Sequence, residues 1–268
     1  MHVQAFYRLI DGLSPFLLSK ELCEKEDLYD NSGVIIGAGK EFDKVLCALD
    51  LSAGAVEEAK RLGCGLIFTH HPAIYRPIKS VGGAVLEAAK AGISVISAHL
   101  NLDCAPHGID YHFAKALGAE NEKILTPLSV LNSGYGRSFS VNLSLGEFVE
   151  KAEKELNTKA ICYGDKNTFI KTAASFCGEG LDEIALGEEA DVYCSADVKH
   201  HVILAALERG KAVVSFTHYA SENYGMKKFA EELTKKLSAQ NIKIYYFDDR
   251  RFVLRGNAEE RSRRCLKN

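Results

Sequence analysis

Apolar and polar positions follow a recurring order in the first half of the chain. Residues 45–49 (VLCAL) form an apolar run ending at Asp50, and Ser52 stands as a cap before a helix-periodic stretch, Ala53 to Leu62. Gly63 stops that helix, and Leu66 to Thr69 resumes as a short buried strand. The order then returns: Ala84 to Ala91 reads as a helix, Gly92 ends it, and Ile93 to Ala98 reads as a strand. Strand, helix, strand, helix, strand predicts a largely parallel sheet covered by helices.

After Gly118 the texture changes. AENEKILTPLSVLNSGYGRS (119–138) is polar and rich in turn residues, and reads as a crossover into a second domain. The pattern then predicts a helix over Leu145–Leu156, a strand around Ile161 and another over Thr172–Phe176, which runs into a turn at Gly178 and Gly180. His201 to Arg209 reads as a helix, Gly210 stops it, and Ala212 to Phe216 is a strand that delivers His218. RLGCGLIFTHHP, KAGISVISAHLN and ERGKAVVSFTHYASE thus share one order: helix, glycine, apolar strand, histidine. The recurrence suggests two similar domains, 1–122 and 123–258, each presenting strand-end ligands to one cleft, with 259–268 a polar tail.

Ligands of open α/β sheets gather beyond the carboxyl ends of strands, and the candidate chemistry sits there. His70 and His71 follow one strand, His99 and Asp103 the next, and His218 and Glu222 a third. An isolated His-His pair reads as loop polarity, and His2, His107 or His112 singly read as satisfying buried backbone groups. Three strand ends carrying imidazole and carboxylate together read as a metal site. If a helix starts near Tyr219, the i,i+4 spacing puts His218 and Glu222 on one face. Imidazole nitrogen with carboxylate oxygen suits zinc, iron, manganese or cobalt. A carboxylate can also bridge two ions about 3.5–4 Å apart.

Composition narrows the setting. The 268 residues carry 33 Lys plus Arg against 36 Asp plus Glu, a net charge of -3, which gives no support for a nucleic-acid or membrane partner. The first 30 residues break their apolar positions with charge and proline, unlike a signal peptide, and no apolar run approaches the roughly 20 residues of a membrane span. A cytoplasmic location is therefore expected. The eight scattered cysteines, with no C-x-x-C pair, read as buried thiols, and Cys104 beside Asp103 reads as wall packing.

DNSGVIIG (30–37), LIFTHHPAIYRPIK (66–79), SAHLNLDCAPHGID (97–110), SADVKHH (195–201) and THYASE (217–222) together resemble the GTP cyclohydrolase 1 type 2 homologue family, also called NGG-interacting-factor-like. The resemblance spans nearly the whole chain. It implies two similar, intertwined α/β domains with mixed sheets flanked by helices and a dinuclear metal site in the inter-domain cleft. By correspondence the metal ligands are His70, His71, Asp103, His218 and Glu222, with two divalent ions per chain. His99 lines the same site, and His99 or His201 would move a proton in catalysis. The implied activity is metal-dependent hydrolysis, with GTP opened at its imidazole ring, and the implied assembly is a homohexamer. A non-catalytic, metallochaperone-like ring protein is the alternative. Ile109 stands at the family's usual Asn and Thr217 at a usual Gly.

Overall fold

The computed structural model describes residues 1–252 apart from 183 and 184, so the expected polar tail at 259–268 lies outside the described residues. Two sheets organise the chain. The first contains β1 (Gly33–Ile36), β2 (Lys44–Ala48), β3 (Leu66–Thr69), β4 (Ser94–Ser97) and β11 (Lys243–Phe247), in the order β1-β4-β3-β2-β11. Only β1 runs antiparallel to its neighbour; β4, β3, β2 and β11 are parallel. The second has the order β5-β6-β8-β9-β10-β7 and is mixed. It comprises β5 (Lys123–Pro127), β6 (Gly134–Ser144), β7 (Ile161–Tyr163), β8 (Phe169–Ser175), β9 (Val192–Ala196) and β10 (Ala212–Phe216). β8, β9 and β10 are mutually parallel.

Several elements arise where the sequence places them. Ser52 accepts from the Ala55 N–H and opens α3 (Ala53–Leu62), and Gly63, at φ +71, closes it in the left-handed region. The stretch 119–138 differs from its expected role as a crossover, because it holds β5 and the start of β6, an antiparallel pair. Its Asn and Gly residues turn the chain between strands: Asn132 has φ +62 and Gly134 φ +149. α1 (Val3–Leu13), α2 (Phe16–Glu26) and β11 add elements that the strand-helix pattern did not announce, and β11 returns the chain to the first sheet beside β2.

Both faces of each sheet are covered, which explains the unbroken apolar runs. Val45, Cys47 and Leu49 point into the large central core, while Leu46 and Ala48 point the other way, onto Ala55, Val56 and Ala59 of α3 and Ala88 of α4 (Gly83–Lys90). β9 divides likewise: Val192 and Cys194 join the central core, and Tyr193 packs with Val202 and Ala206 of α8 (His200–Glu208). The central core also takes side chains from α6 (Ile109–Ala116), α7 (Leu145–Glu155) and α9 (His218–Leu237), and joins residues of both sheets. α6 and α9 approach closely at Gly225, where a Cβ would lie 2.8 Å from the Ile109 Cα. Ile109 is fully buried there and contributes packing to the helix that carries Glu222. Among the described residues no helix is long and apolar enough to cross a membrane.

Candidate metal centre

Parallel register assembles the first part of the site. Ala48 pairs with Thr69 and Thr69 with Ser97, so the residues just past β2, β3 and β4 emerge side by side. They deliver Asp50, His70 with His71, and His99. Past β4 the short helix α5 (Leu100–Cys104) turns Asp103 inward, where it is buried. The second sheet repeats the arrangement, with Asp197 just past β9 and His218 just past the adjacent β10. Thr217 accepts from the Ala220 N–H and starts α9, whose first turns put His218 Nε2 3.0 Å from Glu222 Oε1.

Each imidazole is fixed through Nδ1. His70 Nδ1 lies 2.9 Å from the Ala98 carbonyl, His71 Nδ1 2.7 Å from Asp50, His99 Nδ1 2.9 Å from Asp30 and His218 Nδ1 2.8 Å from Asp197. A carbonyl or carboxylate only accepts, so Nδ1 carries the proton and a neutral ring offers its Nε2 lone pair. Nδ1 held by an acceptor while Nε2 faces a shared centre is the support usual for metal-binding histidine. Asp30, Asp50 and Asp197 were not among the sequence's candidate residues. Their visible signal was position: Asp50 and Asp197 each follow an apolar run, and Asp30 opens the DNSGVIIG segment.

Three groups of side chains bring their donor atoms within 4.8 Å of one another: His70, His71 and His99; His71, His218 and Glu222; His70, Asp103 and Glu222. All five expected ligands and His99 therefore converge. His201 lies on the exposed start of α8, outside these groups. Glu222 is the shared member. Its Oε1 faces His218, and its Oε2 lies 2.8 Å from His71 Nε2 and 3.8 Å from His70 Nε2. His70 Nε2 is buried without a hydrogen-bond partner among the described residues, and the buried Glu222 Oε2 faces both it and His71 Nε2. Buried atoms of this kind are rarely left unmatched. A cation would satisfy a nitrogen lone pair and a carboxylate oxygen together, so the donor set fits a divalent metal.

The electrostatics are those of a site that exchanges protons for cations. Burial lowers His70 to about 4, keeping it neutral at pH 7. Burial also opposes charge on His71, but the carboxylates of Asp50 and Glu222 outweigh it and raise the ring to about 10. His218, likewise opposed by burial, rises to about 9 through Glu222 and Asp197. Burial and the Glu222 charge push Asp103 well above the usual carboxylate range. Burial pushes Glu222 the same way, but the surrounding imidazoles overcome it and hold it well below.

The far wall is the segment after β8. The Cys177 thiol, kept protonated mainly by burial, donates to Asp103 Oδ1 at 3.2 Å, and the Cys177 N–H donates to Asp110 Oδ1. Asp110 is itself paired with the buried Arg137 at 3.1 Å. At Gly178, with φ +57, a Cβ would fall 2.5 Å from Glu222 Oε1. The glycine expected to make only a turn is thus needed for close approach. Cys104 packs with Leu18 and Leu22, in keeping with a wall role. Beside the cluster a cavity of about 410 Å³ opens, its lining including His99, Asp103, His218 and Glu222.

Strand-end imidazoles and carboxylates joining two mixed, helix-flanked sheets define a metal-associated α/β protein. The chain belongs to the Duf34/NIF3 (NGG1p interacting factor 3) family, whose profile matches residues 1–251. It is 33% identical over 225 residues to a GTP cyclohydrolase 1 type 2 homolog of Methanocaldococcus jannaschii, covering 80% of this chain and 90% of that relative. The GTP cyclohydrolase 1 type 2 of Helicobacter pylori is 28% identical over 227 residues, covering 82% of this chain and 86% of that one. Among solved structures, reduced HcgD from Methanocaldococcus jannaschii has a TM-score of 0.76 and 32% identity, covering 92% of this chain and 98% of its own. A hypothetical protein of Staphylococcus aureus shares the fold at a TM-score of 0.84 and 24% identity, covering 96% and 99%.

Proposed function

We propose that this protein is a metal-dependent hydrolase with a dinuclear centre, in which His70, Asp103 and Glu222 hold one divalent ion and His71, His218 and Glu222 the other. The observation that carries the reading is Glu222. Its two oxygens face different imidazoles, and beside one of them His70 Nε2 is buried without a partner among the described residues. Zinc, iron, manganese or cobalt suits the donor set. Bound there, such ions would supply Lewis-acid polarisation and lower the pKa of water at the site.

The remaining steps belong to the chain. His99 lines the cavity with Nδ1 tied to Asp30, so Nε2 is the atom free to take up or release a substrate proton. Geometry supports His99 for this role over His201, which stands outside the cavity lining. Cys177 and Asp50 orient Asp103 and His71. The open cavity beside the ligands favours an enzyme over a closed storage site.

The names of the relatives make GTP the reference substrate. The experiment incubates metal-reconstituted protein with GTP and with phosphate-free purine nucleosides, following formate release and purine absorbance. Turnover lost on chelation, restored by one metal and absent in Glu222→Ala supports the hydrolase. No turnover across a broad hydrolase screen favours the metallochaperone-like alternative. The expected homohexamer is tested by light scattering, which should return six chain masses; a single chain mass would contradict it.

A further inference from the structure

The two ligand sets assigned above are not equally open. His71 and His218 keep 25% and 35% of their side chains exposed, whereas His70, Asp103 and Glu222 keep 0%, 5% and 3%. The cavity touches Asp103 and Glu222, but His70 is not part of its lining. A buried metal site needs a path by which its ion enters. The question is which donor atom starts that path from the open side.

The third group of converging donors, His70, His71 and His99, bears on it. The group shares His70 with the enclosed set and contains no carboxylate. Of its other two members, His71 has its Nε2 engaged by Glu222 Oε2 at 2.8 Å. His99 Nε2 meets no carboxylate among the described residues; the His99 side chain is 18% exposed and lines the cavity. The His99 and His70 rings lie 5.1 Å apart. His99 is thus the imidazole that faces the cavity and also stands beside the unpartnered His70 Nε2.

His99 is held as the resident ligands are. Its Nδ1 lies on Asp30, and Asp30 accepts from the Ser19 hydroxyl at 2.5 Å and the Ser32 hydroxyl at 2.6 Å. Ser32 Oγ in turn accepts the His99 N–H at 2.9 Å. A carboxylate behind Nδ1 leaves the Nε2 lone pair aimed at the cluster, as for a metal-binding histidine.

We propose that His99 is the exchange ligand of the enclosed ion. With His70 it takes up a divalent ion arriving through the cavity, passes it inward to Asp103 and Glu222, and takes it back on release. The proposal rests on the dinuclear reading and adds the route by which its buried half fills. Carboxylate oxygen attracts a dication more than neutral imidazole nitrogen does, so Glu222, whose Oε2 lies 3.8 Å from His70 Nε2, draws the ion inward. An ion already held by His71 and His218 adds positive charge beside this path. It leaves His99 and His70 unoccupied, so it slows the second ion without blocking it. Once the enclosed ion is seated, His99 Nε2 is again free for a substrate proton.

The test is cobalt(II) uptake by metal-free protein, followed by visible absorption in a stopped-flow instrument, with elemental analysis at the end point. Wild type should load in two phases, the slower one filling the enclosed position. His99→Ala should lengthen the slow phase at least about tenfold, leave the fast phase unchanged and still end at about two ions per chain. His99→Phe, which keeps a ring but no donor, should be slowed likewise, and thermal melting checks that each variant folds. Added imidazole should return His99→Ala to within about threefold of the wild-type rate in the same buffer. Slow phases as fast as wild type or faster in the folded variants would overturn the proposal. So would an end point of one ion in both variants, which would make His99 a resident ligand, or slowing of His99→Ala that imidazole does not relieve. Wild-type protein ending with fewer than about two ions would instead fail the dinuclear reading, and elemental analysis shows that without any variant.

Discussion

A single methyl group at Gly178 probes how tightly the second sheet's wall is fitted to the metal ligands. In Gly178→Ala the new Cβ would stand 2.5 Å from Glu222 Oε1 and 3.4 Å from His218 Nε2, at a residue with φ +57. Hydrogen bonds hold the Gly178 backbone, and imidazoles hold the Glu222 carboxylate. The Gly178 N–H donates to Ser221 Oγ at 3.0 Å, its carbonyl accepts from Ser195 Oγ at 2.9 Å and from the Ala196 N–H, and Glu222 is buried. Left-handed backbone costs alanine about 1–2 kcal/mol, and overpacking a fitted site costs about 1–3 kcal/mol more. The total of roughly 2–5 kcal/mol corresponds to a melting point lower by roughly 5–15 °C. Gly210→Ala is the control: φ is +70, but nothing lies within 4 Å of the new Cβ, so only the backbone cost applies. Thermal melting and elemental analysis of both variants separate the effects. Gly178→Ala should melt well below Gly210→Ala and lose metal, whereas Gly210→Ala should keep it. If Gly178→Ala melts no lower than the control and binds metal fully, the close approach to Glu222 has no energetic consequence.

Three further outcomes follow from the same geometry. Asp103→Ala and Glu222→Ala should each remove more metal than His99→Ala, because they delete buried anionic donors; elemental analysis ranks them, and an Asp103 variant with unchanged affinity would show that its carboxylate is not a ligand. Asp50→Ala and Asp197→Ala should weaken metal affinity about 10–100-fold through loss of the Nδ1 support to His71 and His218, read by competition with a chromophoric chelator, and unchanged constants would remove them from the site. Because His71 is raised to about 10 and His218 to about 9, both are protonated at pH 7 before metal arrives. Uptake should therefore release at least about two protons, Asp103 with its raised carboxyl adding to the count, and affinity should rise as pH rises from 6 to 8; calorimetry in buffers of different ionisation enthalpy counts them, and zero release would contradict the protonation scheme.

What was legible in the chain was local. Ser52 and Gly63 bracket α3 because a side-chain cap and a left-handed residue are demanded at those positions, and the apolar runs 66–69 and 212–216 are strands in the structure. The histidine-bearing strand ends were visible for the same reason, and the i,i+4 pair His218 and Glu222 required only that α9 begin near them. Partners set by pairing between strands were not. Asp50 reaches His71 only because β2 and β3 lie parallel in their particular register, and Asp197 reaches His218 only because β9 adjoins β10. β11 beside β2 is likewise a long-range pairing. The stretch 119–138 concealed a hairpin because its apolar positions are few and its turn residues many. Gly178 carried a turn signal, while the reason for a glycine there, the carboxylate of a helix far along the chain, belongs to tertiary structure.

The central claim is that one chain assembles ligands for two divalent ions around Glu222, and metal stoichiometry with anomalous scattering tests it most directly. Protein prepared without chelator, or reconstituted with zinc, iron, manganese or cobalt, should contain about two ions per chain. Anomalous difference maps recorded at the metal edge should show two peaks, one beside His70 and Asp103 and one beside His71 and His218, with Glu222 reaching both. A single peak would reduce the centre to a mononuclear site, and no peak after reconstitution would contradict the account.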